Sequence, residues 1–134
     1  MVEQIRIAES RTTGEIRVFV EPRCAYMDAM DRARELFVQL GMESTERCNA
    51  VLLYLAMKDH QFAILGDEQI YVSAGGSSFW KEAAAGLQRD LRAGALAEGL
   101  CRCIATLGDA LAQHFPFDPT VTRNELPDEI VFGK

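Results

Sequence analysis

Two hydrophobic rhythms divide the chain. From Glu15 to Val20 the order Glu-Ile-Arg-Val-Phe-Val puts Ile16, Val18 and Val20 on one side and Phe19 on the other, the two-residue period of a largely buried strand. Ala50 to Met57 is an unbroken apolar run, as a central strand covered on both faces requires. Between them Asp28 is placed to cap a helix carrying Met30, Ala33, Phe37 and Leu40, with Gly41 as its stop; the exposed face holds Asp31, Arg32, Arg34 and Glu35. Met42 to Cys48 is a polar connection. Lys58-Asp59-His60 predicts a tight turn, and Gln61 to Leu65 the returning strand of a hairpin.

The three-to-four-residue period dominates elsewhere. Val2 to Arg11 reads as a short helix with Ile5 and Ala8 in phase, ended by Thr12-Thr13-Gly14. After the hairpin, Ser77 or Ser78 is positioned to cap a helix with Phe79, Trp80, Ala83, Ala84, Leu87 and Leu91 on one stripe, ending near Gly94. Leu96, Leu100, Ile104, Leu107, Leu111 and Phe115 then form an amphipathic helix that Pro116 stops. The remainder, to Lys134, reads as irregular and partly extended.

At 134 residues the chain suits one domain, and 49% hydrophobic with 25% charged residues is the composition of a globular protein. A net charge of −6 without clustered Lys and Arg argues against nucleic-acid binding. The longest apolar run is too short to cross a bilayer, so no membrane insertion is expected. The start carries Glu3 and no apolar leader core. Taken as complete, the chain is expected to be soluble and cytoplasmic. Cys24, Cys48, Cys101 and Cys103 lack paired C-x-x-C spacing, and on a helix Cys101 and Cys103 diverge by about 200°. They read as reduced, packed thiols.

Candidate chemistry follows from topology. A strand-helix-strand unit is normally a parallel pair, and the tight turn makes the third strand antiparallel to the second, so the third ends where the first two begin. Gly14-Glu15, Asn49 and Gly66-Asp67-Glu68 should then share one edge of the sheet, an oxygen-rich set of the kind hard cations prefer. The simpler alternative is that Asp67 caps the turn before Ile70-Tyr71-Val72 and Asn49 bonds its own backbone. His60 and His114 lack partners at ligand spacing and read as surface residues. No Ser-His-Asp set, P-loop or G-x-G-x-x-G is present. Gly75-Gly76-Ser77-Ser78 could offer N–H groups to an anion, a weak signal. Trp80 reads as a core anchor, and Glu125, Asp128 and Glu129 as solvent-facing acids.

"RTTGEIRVFV" (Arg11 to Val20), "CNAVLLYLA" (Cys48 to Ala56), "AILGDEQI" (Ala63 to Ile70), "FW" (Phe79-Trp80) and "LAQHFP" (Leu111 to Pro116) together resemble the TPM domain, also called the TPM phosphatase domain. The resemblance spans residues 1–117, leaving 118–134 as a C-terminal extension whose "NELPDEIVFG" is similar to the ending of short soluble members. It implies an α/β/α sandwich whose central mixed sheet, a parallel β-α-β unit plus an antiparallel hairpin, is flanked by helices. It also implies a divalent cation, with calcium expected, held by Glu15 and Asp67, Asn49 matching the position that opens the second strand. The function implied is a cation-binding interaction or regulatory module acting on a protein partner. The alternative is a weak metal-dependent acid phosphatase for small phosphate esters, with Arg11 or Arg47 neutralising phosphate oxygens. No nucleophile is identifiable for it. A third reading is an interaction domain without metal.

Overall fold

The computed structural model describes residues 2–24, 28–42, 49–118 and 131–132. In chain order these form α1 (Val2–Glu9), β1 (Glu15–Glu21), α2 (Ala29–Gln39), β2 (Ala50–Ala56), β3 (Gln61–Gly66), α3 (Glu68–Ser73), α4 (Ser77–Arg92), α5 (Leu96–His114) and β4 (Val131–Phe132). The strands make one mixed sheet in the order β3-β2-β1-β4. Strands β1 and β2 run parallel from Glu15 opposite Ala50 to Glu21 opposite Ala56; β3 is antiparallel to β2. The two-residue β4 lies parallel to β1, with Phe19 opposite Val131. No strand was expected in the tail.

Side-chain alternation sorts the sheet into two cores. On one face Phe19, Leu52, Tyr54 and Ala63 meet Ala33, Leu36 and Phe37 of α2. On the other, Ile16, Val18, Val51, Leu53 and Ile64 meet Ile5 of α1, Ile70 of α3, Trp80 and Leu87 of α4, and Leu100, Ile104, Leu107 and Leu111 of α5. The result is an α/β/α sandwich, with one helix on one face and four on the other among the described residues. Every residue of β2 is buried, which is why its apolar run shows no alternation.

Local signals explain most boundaries. The Asp28 carboxylate accepts the Asp31 N–H at 2.9 Å, capping α2, and Gly41 at φ +71° takes the left-handed turn that ends it. Three expectations need correction. Arg32, placed on the exposed face of α2, instead reaches inward to Glu21. The short α3 was not expected; Asp67 caps it by accepting the Glu68 N–H at 2.7 Å. Helix α4 is preceded by Gly76 at φ +65° with no side-chain cap, so neither Ser77 nor Ser78 serves that role. Gly66 has a packing reason: a Cβ there would lie 2.6 Å from the Trp80 ring, whose Nε1 donates to the Tyr71 carbonyl at 3.1 Å.

Candidate functional site

The antiparallel return of β3 brings the three expected residues to one end of the sheet. Glu15 opens β1 opposite Ala50, Asn49 immediately precedes β2, and the Asp67 N–H donates to the Ala50 carbonyl at 2.9 Å, continuing the ladder one step past Gly66. All three are withdrawn from solvent to some degree: Glu15 is 5% exposed, Asn49 2%, and Asp67 is half-buried. The Asn49 amide nitrogen donates to Thr13 Oγ1 at 3.3 Å, so its oxygen is the acceptor end of the amide. Asp67 uses Oδ1 to cap α3, while Oδ2 is buried and has no hydrogen-bond partner among the described residues. A buried carboxylate oxygen in that condition is costly unless something else satisfies it.

The Thr12-Thr13-Gly14 step fixes this end. The Thr12 hydroxyl is aimed at the carbonyls of Leu111 (3.0 Å) and Phe115 and accepts the Gly14 N–H at 3.0 Å. The Thr13 N–H donates to the Phe115 carbonyl at 3.0 Å, tying the start of β1 to the end of α5. Gly14 has no room for a side chain: a Cβ would lie 2.6 Å from Leu111 and 3.1 Å from the Asn49 carbonyl.

Sequence reasoning missed Glu9. It ends α1, looks like a surface residue, and is 7% exposed, with Oε2 accepting the Ile16 N–H at 2.9 Å beside Glu15. Among the described residues no three His, Cys, Asp or Glu side chains gather closely enough to share one metal ion. Among the described residues, the donors this end could offer a cation are the carboxylates of Glu15 and Asp67, the Asn49 amide oxygen and backbone carbonyls, with water completing the set. That donor set is all oxygen, which fits a hard cation, and the unsatisfied Oδ2 of Asp67 is the atom that most needs one.

Of the two expected phosphate-binding arginines, Arg11 alone falls among the described residues. Arg11 is exposed and pairs with Asp109 of α5 at 2.9 Å, and Arg47 lies outside the described residues, as do Cys48, Glu125, Asp128 and Glu129. His60 and His114 are exposed. Cys24, Cys101 and Cys103 form no disulfide among the described residues. Burial, with Asp90 adding to it, pushes the Cys103 thiol up to about 12.

A second polar cluster sits at the opposite end of β1. Arg32 Nε and Nη2 donate to the two oxygens of Glu21 at 3.0 and 3.1 Å, and the Tyr54 hydroxyl donates to Oε2. Burial alone would raise the Glu21 carboxyl, but the bonds from Arg32 and Tyr54 and the guanidinium charge together outweigh it and hold it below its ordinary value. Burial and Glu21 push the Tyr54 hydroxyl up. Both carboxylate oxygens are engaged, so this cluster is a closed clamp between β1, β2 and α2.

No described helix is long and apolar enough to cross a membrane. No curated protein matches the chain. Among solved structures, it is similar to the BA42 protein of the psychrophilic bacterium Bizionia argentinensis, determined by NMR. The two are 37% identical, the match covers 98% of this chain and 89% of that one, and the TM-score is 0.88. The family model for the TPM domain matches residues 1–110, which hold the Thr-Thr-Gly-Glu step, the parallel strand pair, the Gly66-Asp67 corner and most of α5. The family match and the overall structural similarity agree, and the chain belongs to the TPM domain family.

Proposed function

We propose that this TPM domain binds a divalent cation, calcium by preference, at the Glu15, Asn49 and Asp67 end of its sheet, and works as an interaction or regulatory module. The observation that carries the reading is the buried Oδ2 of Asp67, which has no hydrogen-bond partner among the described residues, at the corner where Glu15 and Asn49 also lie. Two carboxylates and neutral oxygens make a low charge count for calcium, so the expected affinity is in the roughly 10⁻⁴ to 10⁻³ M class. The cation would supply charge to neutralise Glu15 and Asp67 and would brace the start of β1 against the β3–α3 corner. Its protein partner is undetermined.

The phosphatase alternative draws no support from Arg11, which is held by Asp109, and among the described residues no side chain at this end is aligned by a neighbouring base as a nucleophile would need. The test is a calcium titration of the metal-free protein followed by amide NMR. Shifts centred on Glu15, Asn49 and Asp67, lost in Asp67→Asn, are expected. Absence of shifts at millimolar calcium would remove this site as the basis of function. Phosphate release that survives both Glu15→Ala and Asp67→Ala would belong to another site or a contaminant.

A further inference from the structure

The outer edge of β3 pairs with no further strand among the described residues, since β2 occupies only its inner side. The hydrogen-bond phase is fixed by Asp67, whose N–H points to Ala50. In an antiparallel ladder alternate residues face the same neighbour, so Gln61, Ala63 and Leu65 bond β2 and the N–H and C=O groups of Phe62, Ile64 and Gly66 point outward. Edge strands are usually blunted by lysine, proline or a bulge. Strand Gln61–Gly66 contains neither lysine nor proline, and its six residues pair with β2 without a bulge.

This edge forms the floor of a groove of about 820 Å³, walled by Ala29 and Met30 at the start of α2 on one side and by Trp80 and Ala84 of α4 on the other. The walls put apolar surface above and below the sheet plane along this slot. The charges around the slot are unlike those of the whole chain. Its lining has two cations, Arg34 and Lys81, against one carboxylate, Asp28, whose Oδ1 is already used to cap α2. Arg34 is paired with Asp31 at 3.1 Å, while Lys81 has no ion pair among the described residues.

The geometry points to β3 as a docking edge for an extended segment of a partner protein in which apolar residues alternate with acidic ones, added as a fifth strand beside Phe62–Gly66. Backbone bonds to Phe62, Ile64 and Gly66 supply affinity, the apolar row of side chains faces Ala29 and Met30 of α2, and the acidic row on the opposite face meets Lys81 of α4. A second copy of this chain fits less well, because edge-to-edge pairing of two β3 strands sets the cationic rims of both copies against each other. The inference stands apart from the cation reading and holds whether or not calcium binds.

The test uses fluorescein-labelled peptides of about ten residues, one alternating glutamate with valine and the other lysine with valine, titrated by anisotropy against the full chain. Hydrogen exchange of Phe62, Ile64 and Gly66 is followed in parallel. The glutamate peptide is expected to bind roughly tenfold tighter than the lysine peptide, to weaken with salt and with the surface change Lys81→Glu, and to slow exchange at those three amides. Four results would overturn the inference: no binding, equal binding of both peptides, binding that leaves the three amides exchanging freely, or self-association of the free chain that protects them. The last would assign the edge to a second copy.

Discussion

Arg32→Met tests the clamp at the far end of β1. The arginine's Cζ stands 6.0 Å from the centroid of the Phe19 ring, and methionine retains an apolar stem for that contact while removing the charge. Glu21, with 8% of its side chain exposed, then keeps only the Tyr54 hydroxyl. Exposed ion pairs contribute about 0–1 kcal/mol, whereas removing one partner of a buried pair costs about 3–5. With Arg32 itself 23% exposed, a loss of about 2–3 kcal/mol at neutral pH is expected, lowering Tm by roughly 6–10 °C for a domain of this size. In the parent the folded Glu21 carboxyl lies below its unfolded value of 4.5, so its contribution is present above that pH and lost as pH falls through the lowered value. In the variant burial dominates and raises the carboxyl, a penalty that acid relieves. The stability gap between the two proteins must therefore narrow as pH drops toward about 4. Urea denaturation at neutral pH and near pH 4 measures both. A gap of the same size at the two pH values would mean that the arginine acts through packing alone, and one under about 0.5 kcal/mol at neutral pH would mean that it behaves as a surface ion pair.

Two further outcomes are expected. Gly66→Ala drives a Cβ to 2.6 Å from Trp80 and should cost about 1–3 kcal/mol; because Trp80 is the sole tryptophan, a change in its fluorescence reports the displaced ring directly, and an unchanged spectrum with unchanged stability would contradict the close approach. Cys103 should resist iodoacetamide at about pH 8 in the folded protein and react once denaturant exposes it, as mass spectrometry of the labelled peptides would read; rapid native labelling would contradict its burial.

Much of the fold was written in local patterns. The alternation in Glu15–Val20, the all-apolar Ala50–Ala56 and the leucine stripe of α5 each bury the face that their period indicates. The convergence of Glu15, Asn49 and Asp67 was also legible, because a hairpin after a parallel pair admits only one end for them. What stayed hidden was long-range or too short to show a period. Helix α3 has six residues, under two turns, and its one buried residue, Ile70, gives no stripe. Glu9 and Arg32 look like solvated helix charges and become buried partners only because Ile16 N–H and Glu21 lie opposite them in space. β4 pairs across most of the chain, and two residues carry no signal of their own.

That last pairing has a temporal side. Phe19 and Val131 are 112 residues apart (131 − 19), so a ribosome adding roughly 5–20 residues per second needs about 6–22 s after making β1 to deliver the strand that lies beside it. During that interval the outer margin of β1 faces whatever nascent or unfolded chains are nearby. Glu15, Arg17 and Glu21 share one row of the strand with Phe19, opposite Ile16, Val18 and Val20, and three charges in seven residues make it a poor template for a stray strand. The same residues that end up buried on the finished sheet thus guard the half-made one against aggregation.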